Sequence, residues 1–192
     1  MSLVLKDEKR HTYGEYLSWS DDERYELIDG IAYAMGAAPV RMHQRLLGEM
    51  FRQIADALDD SDCEVDIAPF DVRLPERNEV DEEIINVVQP DLIVVCDRDK
   101  LDERGCRGAP DWVIEVLSPS TAGHDQILKL ALYERHGVRE YWLAHPADRI
   151  VTIYHLENGQ FGRPTVHEMK ASLSALCCDV EIAWDRVIAR LD

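Results

Sequence analysis

Two carboxylates stand inside segments whose other residues are typical of buried β-strands. Asp91 lies within residues 87–96, and Glu115 lies within residues 112–117. Burying an isolated carboxylate is so unfavourable that its pKa rises until the group is neutral, unless a partner stabilises the charge. Each acid therefore requires a cation, a hydrogen-bond donor or a metal ion nearby, and the fold of this chain has to supply one.

The composition is that of a globular protein with one domain. The chain has 192 residues, of which 46% are hydrophobic and 31% are charged, and this is enough for one sizeable core. No apolar run is long enough to cross a bilayer, and residues 1–10 lack the apolar segment of a signal peptide. We therefore expect a cytoplasmic protein with no membrane partner.

The cysteines do not follow the pattern of a disulfide-rich domain. Their number is odd and their spacing is irregular, at positions Cys63, Cys96, Cys106, Cys177 and Cys178. The adjacent pair also lacks the CxxC spacing of a zinc site. The sequence therefore predicts that all five are thiols.

The net charge is unfavourable for binding nucleic acid. The formal charge is −17, whereas affinity for phosphate comes mainly from Lys and Arg. Residues 56–104 alone carry 17 acidic and 5 basic residues, a pattern more typical of a solvated acidic surface. The sequence does not show a basic face for DNA.

The order of the predicted elements indicates a mixed α/β domain with one central sheet. Helices are predicted over residues 12–20, 40–58, 123–136 and 183–191, with a further helix start at residues 20–23. Strands are predicted over residues 63–69, 70–74, 87–96, 111–117 and 140–144. Hairpins are predicted at Asp29-Gly30 and at Asn158-Gly159, and residues 98–110 are predicted to be a charged loop or short helix.

The two strand acids could form one metal site. If their strands are neighbours in the sheet, Asp91 and Glu115 can both reach one divalent ion, because alternate residues share a face. Carboxylate oxygens suit Mg²⁺ or Mn²⁺, and Lys129 on the following helix could add a third polar group. Such a site can hydrolyse phosphodiesters. The alternative is structural: Asp91 caps a turn after Pro90, and Glu115 pairs with a buried arginine.

Several strings in the sequence resemble one family over about residues 13–184. VQPDLIVVC, APDWVIEVLSPST and KLALYERHGVREYWL are similar to the Uma-two family of restriction-endonuclease-like proteins, within the PD-(D/E)XK nuclease superfamily. YELIDG and RMHQ match as well. The resemblance implies one restriction-endonuclease-like domain over residues 1–192, with a mixed central β-sheet flanked by helices.

The resemblance also implies the site residues. The acidic pair of the superfamily falls on Asp91 and Glu115, as metal ligands and catalytic groups. The lysine of that superfamily normally stands two positions after the second acid, where this chain has Leu117. The family resemblance instead places the lysine at Lys129, whose long stem could reach the same metal. An ion pair between Asp125 and Lys129, four residues apart on the helix, is the alternative.

Four further residues are candidates around this pair. The resemblance aligns Glu26 with an N-terminal acid that joins such sites, and Gln89 could hydrogen-bond a ligand or water. His43, at the start of the long helix, could face phosphate, although a histidine on a helix is more often a surface residue. Asp71 could be an outer acid of the site or the cap of a turn.

The remaining histidines and several aromatic residues receive no role in the site from the sequence. His124 and the remaining histidines lack metal-type spacing. Tyr133 is read as part of the core or an interface, together with Trp112, Tyr141 and Trp142.

The function expected from these observations is a Mg²⁺- or Mn²⁺-dependent endonuclease acting on DNA. A catalytically silent binding or regulatory protein is the main alternative, favoured by the charge of −17 and by Leu117. A nuclease acting on RNA or a small nucleotide is the third, because an acidic surface tolerates a small substrate better than a duplex. A homodimer is expected for long-duplex cutting.

Overall fold

The computed structural model describes residues 5–20, 24–36, 40–118 and 123–191, so most of the helix start predicted at residues 20–23 lies outside it. The helices are α1 (Tyr13–Tyr16), α2 (Arg41–Leu58), α3 (Leu130–His136) and α4 (Trp184–Ile188). A π-helical turn, His124–Lys129, leads directly into α3, and short 3-10 turns cover Asp81–Glu83 and Arg98–Lys100. None of the described helices combines the length and apolarity that spanning a bilayer requires.

The strands follow in chain order. The first eight are β1 (Tyr25–Ile28), β2 (Ile31–Ala34), β3 (Glu64–Ile67), β4 (Val72–Arg73), β5 (Val87–Val88), β6 (Leu92–Val95), β7 (Leu101–Asp102) and β8 (Gly105–Arg107). The others are β9 (Trp112–Val116), β10 (Glu140–His145), β11 (Ile150–Glu157), β12 (Gln160–Phe161), β13 (Thr165–Glu168), β14 (Ser172–Ala175) and β15 (Val180–Ala183).

Within the described ranges these strands form two large sheets and a two-stranded ribbon of β14 and β15. The larger sheet has the order β12-β11-β10-β9-β6-β3, with β13 also paired to β11. The second sheet has the order β2-β1-β5-β4-β8-β7. Both sheets are mixed, because β9 pairs in parallel with β10, and β4 with β8, while the other pairs are antiparallel. The predicted α/β class is confirmed, with its strands divided between two sheets.

The prediction of one strand over residues 87–96 is wrong. Val87–Val88 belongs to the second sheet, whereas Leu92–Val95 belongs to the larger one. Pro90 lies between them and has no N–H to donate, so a continuous ladder cannot pass through it. The chain therefore crosses from one sheet to the other at residues 89–91.

The larger sheet is covered on both faces. Alternation along β9 directs Trp112, Ile114 and Val116 into the apolar cluster beneath α2. It directs Val113 to the opposite cluster, with Tyr133 of α3. Glu115 shares this second face, so its carboxylate is directed into the core that α3 covers.

The prediction that all five cysteines are thiols is wrong for two of them. Cys63 and Cys96 form a disulfide that closes a separation of 33 residues. They flank the paired strands β3 and β6, where Glu64 lies opposite Val95. Strand pairing brings the two sulfurs together, and the spacing of the cysteines along the chain contains no sign of it.

Two predicted turns are present, and one hairpin was missed. Asp29 and Gly30 adopt positive φ angles of 52° and 78°, as the hairpin turn between β1 and β2 requires. Asn158 and Gly159, with φ angles of 52° and 80°, form the second predicted turn, between β11 and β12. The region predicted as a charged loop contains the hairpin β7–β8. Gly105 in this hairpin has a φ of 118°, and a Cβ there would overlap the carbonyl oxygen of Asp71.

Candidate active site

A buried lysine joins two acids that come from different sheets. Lys129 Nζ lies 2.8 Å from Glu26 Oε1 on β1 and 2.8 Å from Glu115 Oε1 on β9. The three side chains are almost fully buried, with Lys129 only 3% exposed. We call these three residues the acid–lysine cluster. It supplies the partner that each buried acid requires, and it replaces the buried arginine considered for Glu115.

The environment of Glu26 keeps its carboxylate ionised. Burial by itself would raise the pKa of Glu26, but the Lys129 ammonium and a hydrogen bond from His124 outweigh this effect. The pKa is consequently lowered from 4.5 to about 2. Glu26 is thus a fixed negative charge under neutral conditions, and it anchors Lys129.

His124 contacts the acid–lysine cluster although no role was predicted for it. Its Nε2 lies 2.9 Å from Glu26 Oε2, and the residue is 6% exposed. The residue stands at the start of the π-helical turn that Lys129 ends. The five-residue spacing between them could have signalled a shared face only if the π-helical turn had been anticipated.

Tyr133 lies in the core as predicted, and it also makes a polar contact. Its ring is fully buried against Tyr141, with centroids 5.0 Å apart. Its hydroxyl donates a hydrogen bond of 3.2 Å to Glu115 Oε1. The oxygen of Glu115 that faces Lys129 is therefore also held by a phenol from α3.

Asp91 does not lie inside a buried strand as predicted, because it occupies the bend immediately before β6 and is only partly buried. The antiparallel pairing of β6 with β9 ends at Leu92 opposite Ile114, and Asp91 and Glu115 are the next residue of each segment. The neighbouring strands assumed in the prediction are therefore present. Asp91 Oδ2 accepts a 2.7 Å hydrogen bond from the backbone N–H of Val116, immediately after Glu115. This bond links Asp91 to the strand residue next to Glu115. It is similar to the structural alternative considered for Asp91, in which the carboxylate caps a backbone N–H.

His43 faces Asp91. Its Nε2 lies 3.2 Å from Asp91 Oδ2, while its buried Nδ1 has no hydrogen-bond partner among the described residues. The side chain of Asp91 is 20% exposed. Asp91 is consequently the most accessible of the acids considered so far.

Gln89 connects the acid–lysine cluster to a second polar network. Its backbone N–H donates to Glu26 Oε1 at 2.8 Å. Its side-chain amide donates to Asp71 Oδ1 at 2.8 Å and to the Tyr16 hydroxyl at 3.3 Å, and its carbonyl accepts from Arg24. The amide proposed to meet a ligand is thus already engaged by protein groups.

Asp71 lies apart from the other acids, in that second network. Burial raises the pKa of Asp71, against the opposing effect of hydrogen bonds from Gln89 and Tyr13. Together with Gly105 and Arg104, Asp71 and Gln89 line an open cleft of about 310 Å³. The structure therefore places Asp71 beside a cleft next to the cluster, where its side chain bonds Gln89 and Tyr13.

The carboxylates of Asp91 and Glu115 are hard oxygen donors, the type of ligand that Mg²⁺ and Mn²⁺ prefer. No group of three or more His, Cys, Asp or Glu residues is arranged to hold a metal within the described part of the chain. Asp91 is hydrogen-bonded to the residue after Glu115, and Mg²⁺ is usually bound by one or two carboxylates, with waters and substrate oxygens completing its shell. The side chain of Asp125, considered as a partner for Lys129, lies outside the described residues.

Comparison with known proteins gives concordant results. Residues 13–184 match the Uma2 family, described as "Putative restriction endonuclease". An uncharacterized protein of Synechocystis sp. is 30% identical over 145 residues, which is 73% of this chain and 72% of that protein. The crystal structure of a "putative nuclease belonging to DUF820" from Anabaena variabilis has a TM-score of 0.74 at 19% identity, covering 94% of this chain and 99% of that chain. The predicted restriction-endonuclease-like fold is thereby confirmed.

Proposed function

The chain belongs to the Uma2 family, and we propose that it is a metal-dependent endonuclease that hydrolyses phosphodiester bonds in DNA. The observation that carries the proposal is the buried Lys129 bridge between Glu26 and Glu115, with Asp91 hydrogen-bonded to the backbone N–H of Val116, next to Glu115. Carboxylates beside a lysine, on interior strands of two mixed sheets, are groups that can bind a divalent cation and position a phosphate.

The charge balance of this group supports a divalent cation. Glu26, Glu115 and Asp91 contribute three carboxylates, and Lys129 contributes one ammonium, so two negative charges remain within this set. Asp91 and Glu115 would hold Mg²⁺ or Mn²⁺ through hard oxygen donors. The bound ion would supply Lewis-acid stabilisation of the phosphoryl oxygens and lower the pKa of a bound water.

The remaining residues around Asp91 and Glu115 would position the reacting groups and the metal ligands. The Lys129 ammonium, beside Glu115, would position the attacking water or the scissile phosphate. Glu26 retains its own contact with Lys129, so the ammonium stays anchored when Glu115 engages another cation. His43 would orient Asp91, to which it is bonded.

The missing strand lysine is compatible with this proposal. Leu117 packs in the apolar cluster that α3 covers, and Lys129 enters that same region from the π-helical turn. Its long stem brings the ammonium to Glu115 at 2.8 Å. Lys129 on the helical segment would therefore supply the positive charge that Leu117, at the usual lysine position, lacks.

We propose DNA as the substrate and a homodimer in the cytoplasm as the active form. Two copies would present two sites to a duplex, as double-strand cutting requires. The charge of −17 predicts that binding is weak and strongly salt-dependent. RNA or a small nucleotide is the alternative substrate, because an acidic surface repels a long duplex most strongly, and cleavage of RNA or of a dinucleotide in preference to DNA would identify it.

A catalytically silent binding or regulatory protein is the second candidate function. One observation favours it: Lys129 is already engaged by both Glu26 and Glu115, as in a purely structural ion-pair network. Such a protein would fold with the acid–lysine cluster intact and would not bind Mn²⁺ at Asp91 and Glu115. A Mn²⁺ titration therefore separates the two functions.

The test is a cleavage assay with purified protein on supercoiled plasmid, single-stranded DNA, RNA and a dinucleotide. Each substrate is incubated with Mg²⁺, with Mn²⁺ and with EDTA. Wild type is compared with Glu115→Gln, Lys129→Met and the control Glu157→Gln, which changes an exposed acid at the end of β11.

We expect metal-dependent cutting by wild type and by the Glu157 variant, with loss of at least about a hundredfold in the other two. Cutting that persists unchanged in Glu115→Gln would contradict the proposed site. Absence of cutting on every substrate, together with absence of Mn²⁺ binding, would favour the silent binding protein.

A further inference from the structure

The Glu26 carboxylate of the acid–lysine cluster is contacted by His124, which begins the π-helical turn that Lys129 ends. His124 Nε2 contacts Glu26 Oε2 at 2.9 Å, while Lys129 Nζ contacts Glu26 Oε1 at 2.8 Å. The imidazole also lies against the Tyr33 ring, with centroids 5.1 Å apart. Both oxygens of Glu26 are therefore bound by side chains from one short segment.

The π-helical turn makes this arrangement possible. In an α-helix, residues five apart point about 140° away from each other around the axis. The wider turn from His124 to Lys129 instead brings residues five apart onto the same side. π-Helical turns are rare and are frequent at functional sites. A regular α-helix here would direct only one of the two side chains to Glu26.

We propose that His124 is a positioning residue of the hydrolytic site, and that its Nε2–H holds Glu26 so that this carboxylate keeps the Lys129 ammonium against Glu115. The proposal rests on the proposed nuclease function. His124 acts through Glu26 and needs no contact with substrate. Nothing in the sequence pattern assigns it this role.

The hydrogen-bonding state of the imidazole follows from its partner. An ionised carboxylate can only accept hydrogen bonds, so Nε2 has to carry the hydrogen that it shares with Glu26. The other nitrogen, Nδ1, is buried and has no partner among the residues that the structure describes. The geometry therefore requires the tautomer with the hydrogen on Nε2, which can be measured.

The first experiment measures the imidazole directly, without enzyme turnover. Protein labelled with ¹⁵N-histidine is analysed by long-range ¹H–¹⁵N correlation NMR, and the His124 signals are assigned by their loss in His124→Gln. We expect the Nε2–H form in wild type and a displaced Nε2 signal in Glu26→Gln. A hydrogen on Nδ1 alone, or signals unaffected by Glu26→Gln, would overturn the proposal.

The second experiment measures cleavage rates. His124→Leu removes the donor and should lower kcat by roughly 10- to 100-fold with little change in KM, as expected when a supporting hydrogen bond is lost. His124→Gln keeps an N–H donor and should recover most of that loss. The control His136→Gln makes the same exchange in α3, where His136 contacts the Leu132 carbonyl oxygen, and it should retain the wild-type kcat.

The outcomes separate this proposal from the nuclease function. A wild-type kcat in His124→Leu, or equal losses in the Leu and Gln variants, would overturn the positioning role while the nuclease function stands. If wild type cuts no substrate, the nuclease function fails. The NMR measurement then still decides whether His124 holds Glu26.

Discussion

Glu26 and Glu115 belong to different sheets, and the two carboxylates meet at one ammonium, Lys129 Nζ, at 2.8 Å from each. The chain crosses between these sheets at residues 89–91, and both ends of the crossing contact the acid strands. Gln89 N–H bonds Glu26, and Asp91 bonds the backbone of Val116. The candidate site therefore lies where the two sheets meet, so substitutions in it should affect both activity and stability.

Lys129→Met should destabilise the protein by about 3–5 kcal/mol, because two buried carboxylates then lose their shared cation. The measurement is urea unfolding at neutral pH. Lys170→Met is the matched control, since Lys170 forms an exposed ion pair with Glu168 and should change stability by no more than about 0.5 kcal/mol. Equal losses in the two variants would show that Lys129 does not hold the acids together.

The stability of the protein should fall steeply in acid through Glu26. Its folded-state pKa of about 2 lies below the ordinary 4.5, so folding favours the ionised form. This stabilisation is fully present above about pH 4.5 and is lost as the pH falls toward 2, by on the order of 3 kcal/mol. Glu26→Gln should have a lower stability at neutral pH and a flatter decline between about pH 5 and pH 2. If the free energy of unfolding fell with pH in the same way in wild type and Glu26→Gln, the lowered pKa of Glu26 would be contradicted.

Asp91→Asn should weaken Mn²⁺ binding by more than about tenfold, because the variant keeps the shape of the side chain but loses an anionic ligand. The amide oxygen can still accept from Val116 N–H, so the fold should be retained. Binding is measured by the free-Mn²⁺ signal in electron paramagnetic resonance. Asp60→Asn, an exposed acid after α2, is the control. Unchanged binding in both variants would remove Asp91 from the metal site.

The Cys63–Cys96 disulfide should stabilise the protein by about 2–4 kcal/mol, because it closes a loop with a separation of 33 residues. The double variant Cys63→Ser/Cys96→Ser should be less stable than wild type by this amount in the absence of reductant. With excess reductant, the two proteins should become nearly equal in urea unfolding. Wild-type stability that does not respond to reductant would show that the cross-link contributes nothing.

Local patterns predicted much of the fold. Apolar spacing located α2 within one residue of its observed start at Arg41, and the Asp29-Gly30 pair located the first hairpin. The position of Lys129 on a helix after Glu115 was also anticipated, from the family resemblance, and the amine does reach that carboxylate. The roles of these residues in catalysis stay predictions.

Other features depended on contacts between distant parts of the chain. The disulfide requires the pairing of β3 with β6. The assignment of β5 and β6 to different sheets depends on which strands each of them pairs with. The role of Tyr133 could not be predicted either, since a tyrosine in an apolar pattern gives no indication of where its hydroxyl will lie.

The sequence by itself determined that Glu115 would be buried in a strand and would need a partner, because side-chain alternation and the unfavourable burial of charge are local properties. The same prediction was wrong for Asp91, which lies in the bend before β6 and is partly exposed. Only the tertiary structure decided which partners the acids have. The Lys129 bridge joins two sheets, and the approach of His124 to Glu26 requires a π-helical turn. Both depend on the packing of one short helical segment against two sheets, which no local pattern specifies.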